Sequence, residues 1–181
     1  MRDDERMTSL AVIRDMTLAD VDRVSEIRVR GWQSAYRGLL PQSYLDALSV
    51  AEDAGRRRAG FSGSAGGAVN LVAERGGEVV GWAAHGAYRD GEVHICDAEL
   101  YALYVDVGHL GTGVGRALLA ESVRQAGALG RSRMYLWVLR DNLPARRFYE
   151  RAGFHADGAE VPCEVAGALV TEVRYLGRVP G

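Results

Sequence analysis

The stretch with the most chemical content is Val105-Asp106-Val107-Gly108-His109-Leu110-Gly111-Thr112-Gly113-Val114-Gly115-Arg116. A β-rich run leads into it and a helix-type run leads out. Glycines let successive main-chain N–H groups turn into one concavity, and a helix N-terminus adds about half a positive charge. The chemistry that follows is anion binding, phosphate above all. Several ligand classes compete for such a loop. A Walker-type loop needs Gly-Lys-Ser/Thr, and all 22 basic residues of this chain are arginine. The absence of lysine also removes Schiff-base chemistry. A dinucleotide loop needs Gly-x-Gly-x-x-Gly. Here the spacing is Gly111-x-Gly113-x-Gly115, late in the chain and after a hairpin rather than inside a βαβ unit. A diphosphate held by main-chain amides and Arg116 fits, and so does a strand-to-helix turn with no ligand. Cys96 and Cys163 are too few for a disulfide framework and belong to no CxxC pair. His85, His94, His109 and His155 form no HExxH or His-x-Glu pattern, so no metal site is expected.

The chain that must position this loop has 181 residues and a mass of 19.6 kDa, the size of one domain. Such a length buries a sizeable core, about 70% of the unfolded surface. With 48% apolar and 25% charged residues it reads as globular. A net charge of -2 gives no pull toward nucleic acid or an anionic membrane. No apolar run reaches the roughly 18 residues of a membrane span. The start, MRDDERMTSL, lacks the apolar segment of a secretory signal, so a cytoplasmic location is expected.

Residues 1–9 read as a frayed tail and 10–181 as a single domain. A short strand is expected over 10–14. A helix of about 14 residues follows, capped by Thr17 with Asp20 three positions on, and is interrupted at Gly31. Residues 41–48 fit a short second helix. The triple arginine at 56–58 reads as a helix end leading into a Gly/Ser-rich mobile loop. Runs 70–75 and 78–88 are β-rich and joined by Gly76-Gly77, a two-residue hairpin signal. Asp90-Gly91 marks a further turn, and 99–106 is the next strand. A helix over 116–129 follows the glycine loop, then a strand over 133–139. Asn142 caps a short helix with Pro144 in its first turn, ending at Gly153. Phe154 and residues 169–176 supply the last two strands. This order predicts an α/β fold with a mixed sheet and helices on both faces.

Two stretches resemble the GCN5-related N-acetyltransferase (GNAT) family. Gly113-x-Gly115 opening a helix after Tyr104-Val105 is similar to its motif A. Asn142-Leu-Pro-Ala145-x-x-Phe148-Tyr149-Glu150-x-x-Gly153-Phe154 is similar to its motif B. Ile13-Arg14, Asp20 and the stretch from Trp32 and Tyr36 to Pro41 resemble the N-terminal part of bacterial members. The likeness spans residues 10–176. It departs at Leu110, where the family has Gln or Arg, and at Val107, where members often carry proline.

The resemblance implies a GNAT fold: about seven strands in a mixed sheet, splayed between the fourth and fifth, with acetyl-CoA as co-substrate in the gap. The pantetheine arm would pair with Leu103, Tyr104 and Val105. The pyrophosphate would lie on the amides of Leu110, Gly111, Thr112, Gly113, Val114, Gly115 and Arg116. Asn142 and Arg146 are further cofactor-binding candidates. The implied reaction is acetyl transfer to a primary amine by direct attack, without an acyl-enzyme and without a metal. An alkylamine with pKa near 10.4 costs about 4.6 kcal/mol to deprotonate at pH 7. Glu99 is the base candidate, with Asp97 and Tyr101 as neighbours able to assist through water. Tyr149 resembles the family's general acid for the departing thiolate. Trp32 and Tyr36 border the acceptor cleft. The partner is an amine-bearing small molecule or protein N-terminus, with homodimers common in the family. The alternative class is a CoA-binding sensor or interaction module that has lost turnover.

Overall fold

The computed structural model describes residues 11–61, 67–89 and 97–180. In chain order these form β1 (Val12–Asp15), a 3-10 turn at Leu18–Asp20, α1 (Val21–Ala35), α2 (Gln42–Asp46), α3 (Val50–Gly60), β2 (Val69–Arg75), β3 (Glu78–Ala87), β4 (Asp97–Val105), a second 3-10 turn at Val107–His109, α4 (Val114–Ala128), β5 (Arg133–Leu139), α5 (Leu143–Arg151), β6 (His155–Val165) and β7 (Ala168–Arg178). The strands make one sheet in the order β1-β2-β3-β4-β5-β7-β6. Every pairing is antiparallel except β4 with β5. Gly76 and Gly77, with φ of 60° and 82°, supply the left-handed pair that a tight β2–β3 turn requires.

Strand alternation divides the core between two faces. Leu71, Ala83, Leu118, Met134, Leu136 and Tyr175 pack on the α4 and α5 side. Val24, Ile27, Val72, Trp82 and Ala84 pack on the α1 and α3 side. A bulge in β4 resets this alternation. Ala84 pairs with Ala102 but His85 with Leu100, so Tyr101 is an extra residue in the ladder. Beyond it Leu103 and Val105 pack with the α4 core, while Ala102 and Tyr104 pack toward α1.

The β4–β5 ladder is short. It comprises Asp97 with Arg133, Ala98 with Met134 and Glu99 with Tyr135. Past that point residues 100–105 and 136–139 diverge, so the sheet forks at Glu99 and Tyr135.

Three expectations change. The first helix runs through Gly31 to Ala35, because Tyr104 packs on that glycine: a Cβ there would stand 3.0 Å from its ring. Phe154 precedes β6 rather than belonging to it. Its ring fills the space beside Gly177, where a Cβ would come within 2.6 Å. The fourth helix starts at Val114, at the end of the glycine loop. Residues 1–10, the Gly/Ser loop at 62–66, Asp90-Gly91, His94 and Cys96 lie outside the described residues. No described helix is long and apolar enough to cross a membrane.

Candidate active site

The glycine loop occupies the tip of β4. Asp106 fixes its entry by accepting from Gly108 N at 2.9 Å while gripping Arg23 at 2.9 Å. The turn therefore forms without a proline at Val107, which is exposed. Arg75, at the end of β2, donates to Thr112 Oγ1 at 3.1 Å and to the Thr112 carbonyl at 3.3 Å, tying the loop to β2. Gly113 caps α4 with φ of 88°, a conformation that favours glycine. Among the described residues, the amides of Leu110, Gly111, Gly113, Val114, Gly115 and Arg116 donate to no protein group. Orphan donors at a helix N-terminus form an anion cradle. Nothing lies within 4 Å of a Cβ built at Gly111 or Gly113, so the hollow is open. A Cβ at Gly115 would fall 3.4 Å from Val105 and 3.5 Å from Phe148, so that glycine borders the passage between β4 and α5.

On the α1 side of the fork, aromatic side chains from separate elements converge. Trp32 Nε1 donates to the Tyr104 hydroxyl at 2.7 Å. Tyr36 lies within electrostatic reach of the same hydroxyl and packs edge-on against Trp32 at 4.9 Å. Tyr149, from α5, lies within electrostatic reach of Tyr104. Burial pushes all three tyrosine pKa values upward. They therefore stay protonated at neutral pH and act as hydrogen-bond donors. Trp32 and Tyr36, named from sequence, are thus brought to Tyr149 through Tyr104. Tyr104 was expected to contribute only its backbone.

Carboxylates stand below this cluster. Glu99, at the apex, is buried; Arg89 Nη2 reaches Oε1 at 2.9 Å and the Arg89 amide reaches Oε2 at 3.0 Å. Asp97 and Tyr101 are committed elsewhere. Arg133 takes both Asp97 oxygens at 3.0 Å, and the Tyr101 hydroxyl donates to the Ala87 carbonyl. Glu172, on β7, is half-buried and pairs in register with Leu139 and Val161. Burial, then the charge of Glu99, pushes its carboxyl pKa up. No sequence signal marked it, because β7 reads as an ordinary strand.

Two cofactor candidates have internal partners. Asn142 is buried and accepts from Ala145 N at 3.3 Å, a helix cap. Arg146 donates to the Tyr175 hydroxyl and to the Arg140 carbonyl, both at 2.9 Å, so its guanidinium braces α5 on β7. Cys163 is a free thiol on β6 whose pKa burial raises, which does not suit a nucleophile. Among the described residues no group of His, Cys, Asp and Glu converges as metal ligands.

Comparison with known proteins agrees with this geometry. The model of the Acetyltransferase (GNAT) family matches residues 32–154. YuaI of Bacillus subtilis, described as an uncharacterized N-acetyltransferase, is 32% identical over 166 residues, covering 91% of each chain. The PaiA N-acetyltransferase of Thermoplasma acidophilum, solved with coenzyme A, shares the fold at 18% identity and a TM-score of 0.69, covering 93% of this chain and 98% of that one. YncA of Salmonella typhimurium, solved with acetyl-CoA, has a TM-score of 0.71 at 22% identity and covers 96% of both chains. A sheet forked between its fourth and fifth strands, an open amide cradle at the tip of the fork and a family match across both place this chain in the GNAT family of N-acetyltransferases.

Proposed function

We propose that the chain transfers acetyl from acetyl-CoA to a primary amine by direct attack in a ternary complex. The observation that carries this reading is the open cradle of unpartnered amides at the tip of a strand whose neighbouring edge is free. The amides of Leu110 to Arg116 hold the diphosphate, and the Leu103–Val105 edge holds the pantetheine arm. Acetyl-CoA supplies the activated acetyl group as a thioester. The amine enters from the α1 side, past Trp32 and Tyr36.

Tyr149 is the donor to the departing sulfur. Its raised pKa suits a hydrogen bond to a thiolate, whose conjugate thiol lies near about 8.5, better than it suits outright proton transfer. Glu99 is the base. Arg89 holds both of its oxygens, and the carboxyl polarises a bridging water, which removes the proton from the amine. The balance is simple. The amine nitrogen gains the acetyl carbon, the carbon–sulfur bond breaks, the sulfur leaves as a thiolate hydrogen-bonded by Tyr149, and the amine's proton passes through the water beside Glu99 to solvent. The test is to incubate the chain with acetyl-CoA and a panel of amines and to follow free CoA and the acetylated product. Product formation supports the reading. Tight acetyl-CoA binding with no turnover across the panel favours the sensor.

A further inference from the structure

We propose that Glu172 binds the ammonium of the acceptor and makes the enzyme selective for cationic alkylamines. This rests on the reading above, that an amine is acetylated in the fork. Strand pairing places Glu172 on the same sheet face as Leu139, Trp137, Arg174, Tyr135 and Glu99. That is the face toward α1, where Tyr36 lies within its electrostatic reach. Directly across from it on either side stand Leu139 and Val161, which offer no polar group. Among the described residues, Glu172 takes no hydrogen bond and no ion pair. A half-buried carboxylate in apolar company ordinarily finds a partner.

Three arginines of this face have acidic partners. Arg89 is held by Glu99 at 2.9 Å. Arg174 pairs with Asp157 at 2.7 Å and donates to the Tyr88 hydroxyl. Arg133, at the start of β5, pairs with Asp97 at 3.0 Å. The two acids of the fork therefore differ in kind. Glu99 has its counterion within the protein, and Glu172 has none among the described residues. Burial and a nearby like charge both oppose ionisation of Glu172. An incoming ammonium would relieve both, and the ring of Tyr36 beside it offers a cation-compatible wall. A neutral amine gains nothing from such a group. Glu172 is thus a specificity residue, distinct from the base and acid already named.

The experiment compares two isomeric acceptors at pH 7.5: phenethylamine, which is protonated, and 4-ethylaniline, which is neutral. In Glu172→Gln the KM for phenethylamine should rise about 10- to 100-fold, the loss of a charge-assisted bond. The KM values for 4-ethylaniline and for acetyl-CoA should not change. Glu172→Asp should recover part of the phenethylamine affinity. An unchanged phenethylamine KM overturns the proposal, and so does an equal loss on both amines, which marks a merely structural role. Binding separates this inference from its parent. If acetyl-CoA binds and no amine is acetylated, the transfer reading fails. Calorimetric titration of phenethylamine into the CoA-loaded wild type and Glu172→Gln then still decides: a weaker heat in the variant supports the ammonium site, and equal or absent binding in both refutes it.

Discussion

Gly31→Ala tests whether the aromatic wall of the acceptor side is held as tightly as the contacts imply. Two effects oppose one another. Alanine is the better helix former by about 1 kcal/mol. Yet the new Cβ would stand 3.0 Å from Tyr104 Cδ1, and carbon contacts are comfortable only from about 3.5 Å. The ring has little room to yield. It stacks on Trp82 with planes 8° apart, and its hydroxyl accepts from Trp32 at 2.7 Å. Overpacking of this sort costs about 1–3 kcal/mol. The variant should therefore be less stable by about 0–2 kcal/mol, against the gain that helix propensity alone predicts. A shifted Tyr104 loosens Trp32 and Tyr36, so the amine KM should rise about fivefold, the equivalent of about 1 kcal/mol. The acetyl-CoA KM should hold, since the cradle lies on the other side of β4. Urea melts and steady-state kinetics with each substrate varied read both effects. A more stable variant with an unchanged amine KM would refute the reasoning.

Three further variants test other parts of the structure. Tyr149→Phe should lower kcat about 100-fold with acetyl-CoA affinity intact in a direct binding titration; unchanged turnover removes its role as donor to the sulfur. Arg75→Ala removes both hydrogen bonds that tie Thr112 to β2 and loosens the loop, so the acetyl-CoA Kd should weaken about 3- to 10-fold while amine KM stays constant. Hydrogen bonds from Arg14 hold the Asp20 carboxyl down at about 2. Because this folded value lies below the unfolded one, the stabilisation is complete above about pH 4 and fades as pH falls through 2. It amounts to roughly 2 kcal/mol. Asp20→Asn should lose it at pH 7 and show a flatter stability profile between pH 4 and 2; an identical slope would rule the pair out.

Much of the fold is legible in local signals. Gly76-Gly77 announces its hairpin, Pro144 and Asn142 announce α5, and the glycine loop announces the β4–α4 junction. The misses share a cause. Gly31 reads as a helix breaker because the ring that requires it lies 73 positions further along the chain. β6 is an edge strand with mostly exposed residues, so it carries no alternating apolar pattern. In the proposed site, the amides assigned to the diphosphate follow from glycine spacing, whereas the partners of side chains do not follow from any local signal. Arg146 offers a charge in sequence and spends it on Tyr175. Glu99 looks free and is held by Arg89. Glu172 has no motif at all, since its isolation among Leu139 and Val161 exists only once β5, β6 and β7 lie side by side.

The three-rung ladder between β4 and β5 has a mechanical meaning. It makes the sheet two leaves on a narrow spine, β1–β4 with their helices on one and β5–β7 with α5 on the other. A molecule lodged between the leaves and touching both would act as a rivet. By linkage, saturation at a hundred times its Kd raises resistance to unfolding by about 2.7 kcal/mol. That gain should be accompanied by slower amide exchange along both margins of the notch, residues 100–105 and 136–139, which tells clamping of the leaves apart from tightening of either one alone.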